Sequence, residues 1–290
     1  MKRRVGALVL FARVAAACAS APPCSATARA QEREDCAAEA PSPAPVAIAR
    51  PAPPPFVAVP IEDPSGRAMV GFHAALHEAE ADRGQARIVF YGASHVAADI
   101  YTDVIRTRLQ TRFGEAGAGF TMPARPQPHW RNAGTAIETS IGWTGVQVRS
   151  TTSEADHFGL AGIYLLAPAK KSARASFVTR ARSGLTGYAS ELELYYWKQP
   201  NGGRLRMTVD GEPYEIATAA NSGKAGYEHV SLADGPHRVE IATRGDGPVQ
   251  LFGMSLERTQ PGVVLDTLGI PGSRAANQLL WDDALYREQL

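Results

Sequence analysis

Cysteine is scarce in this chain of 290 residues, and its positions exclude whole classes of site. The three cysteines, Cys18, Cys24 and Cys36, all precede the first predicted core element. The folded part therefore has no thiol for a disulfide or a thiolate metal site, although an exported protein could form disulfides. No cofactor is expected.

Strong charge of either sign is also missing. Lys and Arg total 30, Asp and Glu total 29, and the formal net charge is +1. The sequence contains no basic block that could bind along a phosphate backbone, so nucleic acid is not an expected partner. With 44% hydrophobic residues, the chain is long enough for one large domain or two modest ones with a proper core.

No apolar run is long enough to span a membrane. Residues 2–4 are basic, residues 5–17 are mostly apolar, and residues 28–30 form a small-x-small cleavage site, so residues 1–30 are predicted to be a secretory signal. An alternative is lipidation at Cys18, which would tether the protein to a membrane. The Pro/Ala-rich residues 31–65 are predicted to form a linker. We therefore expect export to the periplasm or cell envelope, as a free protein or a lipoprotein.

An apolar run over 88–91 is followed by a small-residue turn that contains Ser94. Such a run predicts a parallel strand buried on both faces, with Ser94 at the turn from strand to helix. At that edge of an α/β sheet a hydroxyl can be presented beside backbone N–H groups. Ser94 is therefore a candidate nucleophile.

Helical spacing predicts one helix over 66–82 and another over 98–112. The inner face of the second helix is predicted to carry Ile100, Val104, Ile105 and Leu109. Its end is marked by Gly114, Gly117 and Gly119, which predict a mobile loop. These glycines follow a helix rather than a strand, so they do not indicate a phosphate-binding loop.

Histidines give weak signals for metal. His73 and His77 share a helix face but lack the Glu of a His-Glu-x-x-His motif. His95 and Asp99 are four residues apart and could face each other on a helix. A polar cap is the default interpretation of that pair, and a metal site is the alternative.

Residues 138–260 change to a period of two, with Asp-Gly pairs between the alternating runs. This pattern predicts an antiparallel β-sandwich. Tyr195 and Trp197 share one face of a predicted strand. They could stack against sugar rings, although packing is the commoner role of such aromatics.

The pattern of a buried parallel strand returns at 262–268, and a bend follows at Gly269–Gly272. Ser273 is a candidate N-cap for a helix through Leu285. Residues 66–137 and 261–290 are thus predicted to be two parts of one α/β domain, a partial three-layer, flavodoxin-like fold that the β-sandwich interrupts. Since two parallel strands do not make a stable doubly wound sheet, the edge and apolar face near 263–268 are predicted to be uncovered.

Gly92-Ala-Ser-His95 with Asp99, together with residues 109–120, resembles the first block of the SGNH (GDSL-type) hydrolases. The segment Asp266–Ser273 resembles the second block. Within that family the likeness is to envelope peptidoglycan O-acetylesterases, in which a carbohydrate-binding-like sandwich separates these two blocks. The resemblance implies a serine esterase that acts on esters of peptidoglycan or another polysaccharide.

The resemblance also implies roles for particular residues. Ser94 matches the nucleophile, and its backbone N–H and that of Gly272 match two oxyanion donors, with Gly269 the less favoured choice. Ala93 stands where the family usually has an Asp that helps to hold the turn.

The family's Gly-x-Asn and Asp-x-x-His blocks, which supply a third donor and the general base, are absent after the second block. The chain is therefore expected to be truncated and to have little or no activity, and a non-catalytic glycan-binding envelope protein is the alternative. Asp234-Gly-Pro-His237 matches the Asp-x-x-His motif but lies between two predicted strands, so it is predicted to be a hairpin turn.

Overall fold

The structure, a computed structural model, describes residues 62–148, 157–182 and 184–290. The predicted signal peptide, all three cysteines and most of the predicted linker lie outside the described residues. Within the described ranges, no helix has the length and apolar character needed to cross a membrane.

The helices are α1 (Val70–Glu80), α2 (Ser94–Ala97), α3 (Tyr101–Phe113) and α4 (Asp283–Gln289), with a 3₁₀ helix at Ala275–Leu280. The strands are β1 (Gln85–Gly92), β2 (Gly117–Thr121), β3 (Thr135–Ile141), β4 (Thr144–Gln147), β5 (Ile163–Ala167), β6 (Arg174–Thr179), β7 (Ala189–Lys198), β8 (Arg204–Val209), β9 (Glu212–Ala217), β10 (Lys224–Gly235), β11 (Arg238–Thr243), β12 (Val249–Glu257) and β13 (Gly262–Gly269).

Strands are the main secondary structure of the described chain. One antiparallel sheet has the order β10-β7-β12-β5-β4, with β2 also paired to β12, and the other has the order β3-β6-β11-β8-β9. Because side chains alternate along a strand, Leu192 and Leu194 of β7 and Met207 of β8 all point into one shared core. The turn at Asp210-Gly211 has positive φ at both residues, as a tight hairpin requires.

The remaining two strands, β1 and β13, form a parallel pair. Their register runs from Gln85↔Gly262 to Gly92↔Gly269. Every residue of β13 is buried, whereas Ile88–Tyr91 of β1 are only half-buried. The prediction of a strand buried on both faces is therefore wrong for β1, because β13 is its only strand neighbour among the described residues. One parallel pair does not confirm the predicted α/β domain.

The inner face of α3 is polar, not apolar as predicted. Ile100 and Val104 are 69% and 51% exposed, while Thr102, Arg106 and Gln110 are buried. Arg106 Nε donates to the Leu265 carbonyl at 3.1 Å, and Gln110 Nε2 donates to the Val263 carbonyl at 2.9 Å. The helix packs against the free backbone edge of β13, whose carbonyl groups need hydrogen-bond donors.

The same contacts overturn the predicted uncovered edge at Val263–Leu268. The side chains of α3 satisfy two carbonyls of β13, and Val263 N donates to the Gly114 carbonyl at 2.9 Å. A buried edge with satisfied backbone groups is not exposed to pairing with another chain.

The predicted mobile loop after α3 is instead the buried strand β2. Gly119 has a φ of +73°, and a Cβ there would overlap the carboxylate of Asp266. Glycine is needed at this position for close approach to β13, which explains a signal that otherwise indicates a flexible loop.

Asp266 links the parallel pair to the antiparallel sheet. Its carboxylate accepts from the Phe120 N–H at 2.7 Å and pairs with Arg87 at 2.6 Å. Arg87 also pairs with Glu257 on β12. Complete burial raises the pKa of Asp266, although the Arg87 charge opposes this shift. The carboxylate therefore depends on these partners to stay in the interior.

The predicted helix after the second bend, capped by Ser273, is also wrong. Ser273 Oγ donates to the Gly92 carbonyl at 3.3 Å, and the chain forms a 3₁₀ helix and then α4, capped by Asp282. Trp281 is extended between them and packs against Tyr91 and Tyr286. The half-buried indole of Trp281 thus lies at the break between the two helices.

Candidate functional site

The two bends singled out in the sequence meet at one edge of the molecule. The last pair of the parallel register is Gly92↔Gly269, and Ile270 N donates to the Gly92 carbonyl at 2.9 Å. Because parallel strands end at the same edge, the turn with Ser94 lies beside the bend Gly269–Gly272.

Ser94 is the first residue of α2 and is exposed, whereas Val96 and Ala97 anchor this helical turn in the core. The Ala98 N–H donates to the Ser94 carbonyl at 2.9 Å, and this hydrogen bond closes the helical turn that begins at Ser94. The Ser94 hydroxyl has no hydrogen-bond partner among the described residues. It is therefore available to a ligand.

Gly269 and Gly272 have different surroundings. A Cβ on Gly269 would overlap the backbone of Ala97, so this glycine allows β13 and α2 to approach closely. Gly272 is exposed and has a φ of +76°. The role of the Gly272 N–H as an oxyanion donor remains a prediction.

Gly269→Ala is expected to lower the free energy of unfolding by about 1–3 kcal/mol, because the new methyl group has to displace the backbone of α2. Gly71→Ala is the control, since a methyl group at this position of α1 would meet no atom within 4 Å. There the change should stabilise by about 0.5–1 kcal/mol. Urea unfolding of both variants measures the difference, and equal stability would contradict the close packing of α2 on β13.

A cavity of about 300 Å³ lies between the two bends. Its lining residues come from the end of β1, the end of β13 and the segment after the second bend: Tyr91, Gly92, Ala93, Val148, Leu268, Ile270, Ser273, Arg274, Ala275, Asn277, Gln278 and Trp281. None of them is a histidine or a carboxylate.

Tyr91 cannot replace a base in this cavity. Burial and the hydrogen bond from its hydroxyl to that of Tyr286 raise the pKa of Tyr91 far above its ordinary value. Its phenol is therefore protonated near neutral pH. The described lining residues thus form a pocket but supply neither a histidine nor a carboxylate as a base for Ser94.

His95 and Asp99 do not form the pair considered in the sequence. His95 is exposed, while Asp99 is buried and paired with Arg106 at 3.0 Å. No group of three or more potential metal ligands occurs in the ranges that the structure describes. His73 and His77 are exposed on α1.

Asp99 instead fixes the junction between α2 and α3. Its carboxylate accepts from Thr102 Oγ1 at 2.6 Å and from the Ala133 N–H at 2.7 Å. Arg106 binds both Asp99 and Asp103, and its side chain is completely buried. This network ties the turn that presents Ser94 to β13 and to the loop before β3.

Arg106 is not among the residues predicted from the sequence, although a signal for it is present. Thr102, Arg106 and Gln110 are spaced four residues apart, and Asp99 and Asp103 precede Arg106 by seven and three, a pattern that predicts one helix face. A stripe of polar side chains at that spacing is typical of a solvated helix face. It can equally indicate a helix face that hydrogen-bonds buried groups.

The Asp-x-x-His motif at 234–237 connects β10 to β11, which lie in different sheets, so the predicted hairpin turn is wrong. Asp234 pairs with Arg258, with Oδ1 of the carboxylate 2.8 Å from Arg258 Nε. His237 Nδ1 lies 2.6 Å from Asp210 Oδ2, and its Nε2 lies 2.9 Å from the Ala189 carbonyl. Asp234, at the end of β10, and His237, just before β11, thus bind different partners.

A different histidine–carboxylate pair emerges from the structure. His157 Nδ1 lies 3.1 Å from Asp282 Oδ2, and the imidazole stacks on Trp197 with ring centroids 4.3 Å apart. Trp197 is only 8% exposed, so it packs rather than offering its face to a sugar ring. The packing interpretation of this aromatic is confirmed.

Acid is expected to weaken the anchoring of α4 through Asp282. Burial alone raises its pKa, but hydrogen bonds from the Leu285 N–H and from His157 outweigh burial and lower it. The charged carboxylate therefore stabilises the fold above the unfolded value, about 3.9, and this contribution is lost as pH falls through the lower folded-state pKa.

Unfolding measured between about pH 5 and pH 2 should show a smaller pH slope in Asp282→Asn than in the parent chain. Asp283→Asn is the control, because Asp283 is exposed and is paired only with Arg287 on the surface. Equal slopes for the parent and Asp282→Asn would contradict the assignment.

No family model matches the sequence, and no curated protein matches it. Among solved structures, a peptidoglycan O-acetylesterase matches with a TM-score of 0.52 and 22% identity, over 75% of this chain and 55% of that one. The chain thus spans about half the length of that esterase. Identity at this level establishes a shared fold only.

Two further structures match with lower TM-scores. A family two carbohydrate esterase from Cellvibrio japonicus is 18% identical, over 45% of this chain and 37% of that one, with a TM-score of 0.27. A family 35 carbohydrate-binding module from Paenibacillus barcinonensis is 12% identical, over 42% of this chain and 90% of that one, with a TM-score of 0.27. Neither TM-score is high enough to establish a shared fold.

Proposed function

We propose that this protein is an SGNH-type ester hydrolase of the cell envelope that acts on O-acetyl groups of a polysaccharide, peptidoglycan in particular. The observation that carries the proposal is the Gly92↔Gly269 register, which brings Ser94 beside the bend Gly269–Gly272 and next to a cavity. The fold shared with a peptidoglycan O-acetylesterase supports it.

In the proposed reaction, Ser94 Oγ attacks the carbonyl carbon of the acetyl group. The backbone N–H groups of Ser94 and Gly272 donate hydrogen bonds to the oxyanion that forms. The bond from the acetyl carbon to the sugar oxygen then breaks, and the sugar hydroxyl leaves with a proton. Water hydrolyses the acetyl-serine, which releases acetate and restores the Ser94 hydroxyl.

A serine without a positioned base is a weak nucleophile at neutral pH. The described lining of the cavity contains no imidazole and no carboxylate, so none of these lining residues can act as the base. We therefore expect slow hydrolysis by this chain alone and a faster reaction when imidazole is added as a base.

The test is acetate release from O-acetylated peptidoglycan with added imidazole. The parent chain should release acetate, and Ser94→Ala should release no more than buffered imidazole alone. Ser172→Ala, a change at an exposed serine just before β6, should behave like the parent. Equal release by the parent and Ser94→Ala would refute the proposal.

A non-catalytic glycan-binding protein is the second candidate, and the lack of a base among the described lining residues favours it. On this alternative, the parent and Ser94→Ala are retained equally on insoluble peptidoglycan, and neither releases acetate even with imidazole. Trp197→Ala is a poor probe of such binding, because the indole is buried against His157 and Phe252.

A further inference from the structure

A second groove, of about 450 Å³, lies at the other end of α2. Three exposed arginines line it: Arg125, Arg131 and Arg180. None of the three has an ion-pair partner among the described residues. By contrast, most other described arginines are paired, including exposed ones such as Arg206 with Glu215.

In the part of the chain that the structure describes, the groove offers no counter-ion to these arginines. Its one lining carboxylate, Asp99, is already held by Arg106, Thr102 and the Ala133 N–H. The neighbouring Glu138 is paired with Arg238 at 2.5 Å. In a chain with a formal net charge of +1, this concentration of unpaired positive charge is a local feature.

The groove is fixed close to Ser94. Ala98–Ile100 line it, and with a rise of about 1.5 Å per helical residue Ala98 lies about 6 Å along the α2 axis from Ser94. The Arg131 N–H donates to the Ala97 carbonyl at 2.9 Å, which attaches the Arg131 loop to the same helical turn. A polymer with its ester at Ser94 can therefore extend into the groove.

We propose that this groove binds carboxylate groups of the glycan substrate, which is thus a carboxylate-bearing polymer and not a neutral polysaccharide. This inference rests on the proposed function, since that function places the polymer at Ser94. Guanidinium groups suit the ligand because their planar N–H donors match the two oxygens of a carboxylate. The lining also includes the buried Trp130 and the half-buried Ile137, which could contact the apolar part of a sugar ring.

Retention on insoluble peptidoglycan tests the proposal without requiring turnover. The probes are native peptidoglycan and the same material after its carboxylates are converted to amides. Arg125→Gln/Arg131→Gln/Arg180→Gln should bind native peptidoglycan about tenfold more weakly than the parent, the combined effect of three exposed charge pairs. Amidation should weaken the parent by a similar factor and leave the triple variant unchanged.

The matched control is Lys170→Gln/Lys171→Gln/Lys224→Gln, which removes the same charge from exposed positions with no ion-pair partner among the described residues. It should bind native peptidoglycan within about twofold of the parent. Equal losses in the two triple variants would overturn the proposal, as would equally arginine-dependent binding to duplex DNA or to vesicles of anionic lipid.

The two proposals fail in distinguishable ways. If Ser94→Ala binds like the parent and both bind through the arginines, yet no acetate is released, the carboxylate groove stands and the esterase proposal fails. If acetate release depends on Ser94 but amidation and the arginine substitutions change neither retention nor release, the esterase proposal stands and the groove proposal fails.

Discussion

Ser94→Ala is expected to lower the imidazole-dependent hydrolysis of p-nitrophenyl acetate by about 10²-fold or more, the size of a general-base contribution to an attacking hydroxyl. The methyl group of alanine retains the small side chain at the start of α2, so the fold should be unaffected. The measurement is the initial rate of p-nitrophenolate release over a series of imidazole concentrations.

Imidazole also cleaves this ester by itself, so the informative quantity is the rate above that of the same buffer without protein. In the parent chain this excess should grow with imidazole, and Ser172→Ala should reproduce it. If the excess rate is the same in Ser94→Ala as in the parent, Ser94 is not the nucleophile.

Arg106→Met is expected to lower the free energy of unfolding by about 3–5 kcal/mol, because it leaves the buried carboxylate of Asp99 without its charged partner. It also removes the donor to the Leu265 carbonyl at the edge of β13. Methionine keeps most of the side-chain volume, so the loss reports on charge and hydrogen bonding more than on a cavity. Urea unfolding at neutral pH measures it.

Arg108→Met is the matched control on the same helix, since Arg108 is exposed and has no ion-pair partner among the described residues. It should change stability by less than about 0.5 kcal/mol. The double variant Arg106→Met/Asp99→Asn should regain part of the loss, because it also removes the stranded charge. A loss in Arg106→Met no larger than that in Arg108→Met would show that the network does not hold α3 to β13.

Local signals sufficed where neighbouring residues decide the structure. The turn at Ser94 and the Asp-Gly turn at 210–211 depend on residues next to each other in sequence, and α1 lies within its predicted range. The inner face of α3 could not be predicted in this way, because its partner is the edge of β13, more than 150 residues away. A helix that covers a backbone edge needs hydrogen-bond donors where a helix on an apolar core needs leucine.

In the candidate site, too, local patterns predict some residues, whereas others are brought together only by the fold. Ser94 follows from a strand that ends in a small-residue turn, and its neighbour Gly269 from a second strand of the same kind. His157 and Asp282 are 125 positions apart, and neither lies in a pattern that indicates the other. Arg125 and Arg131 of the second groove lie in the segment between β2 and β3, whereas Arg180 follows the end of β6. Only the fold brings Arg180 to the other two.

Covalent labelling tests the role of Ser94 most directly. A fluorophosphonate forms a bond to an activated serine oxygen and releases fluoride, and peptide mapping by mass spectrometry locates the adduct. With imidazole present, the parent chain and Ser172→Ala should carry one adduct, on the peptide that contains Ser94, and Ser94→Ala should carry none. An adduct on a different serine, or no adduct on the parent, would contradict the assignment of Ser94 as the nucleophile beside the Gly269–Gly272 bend.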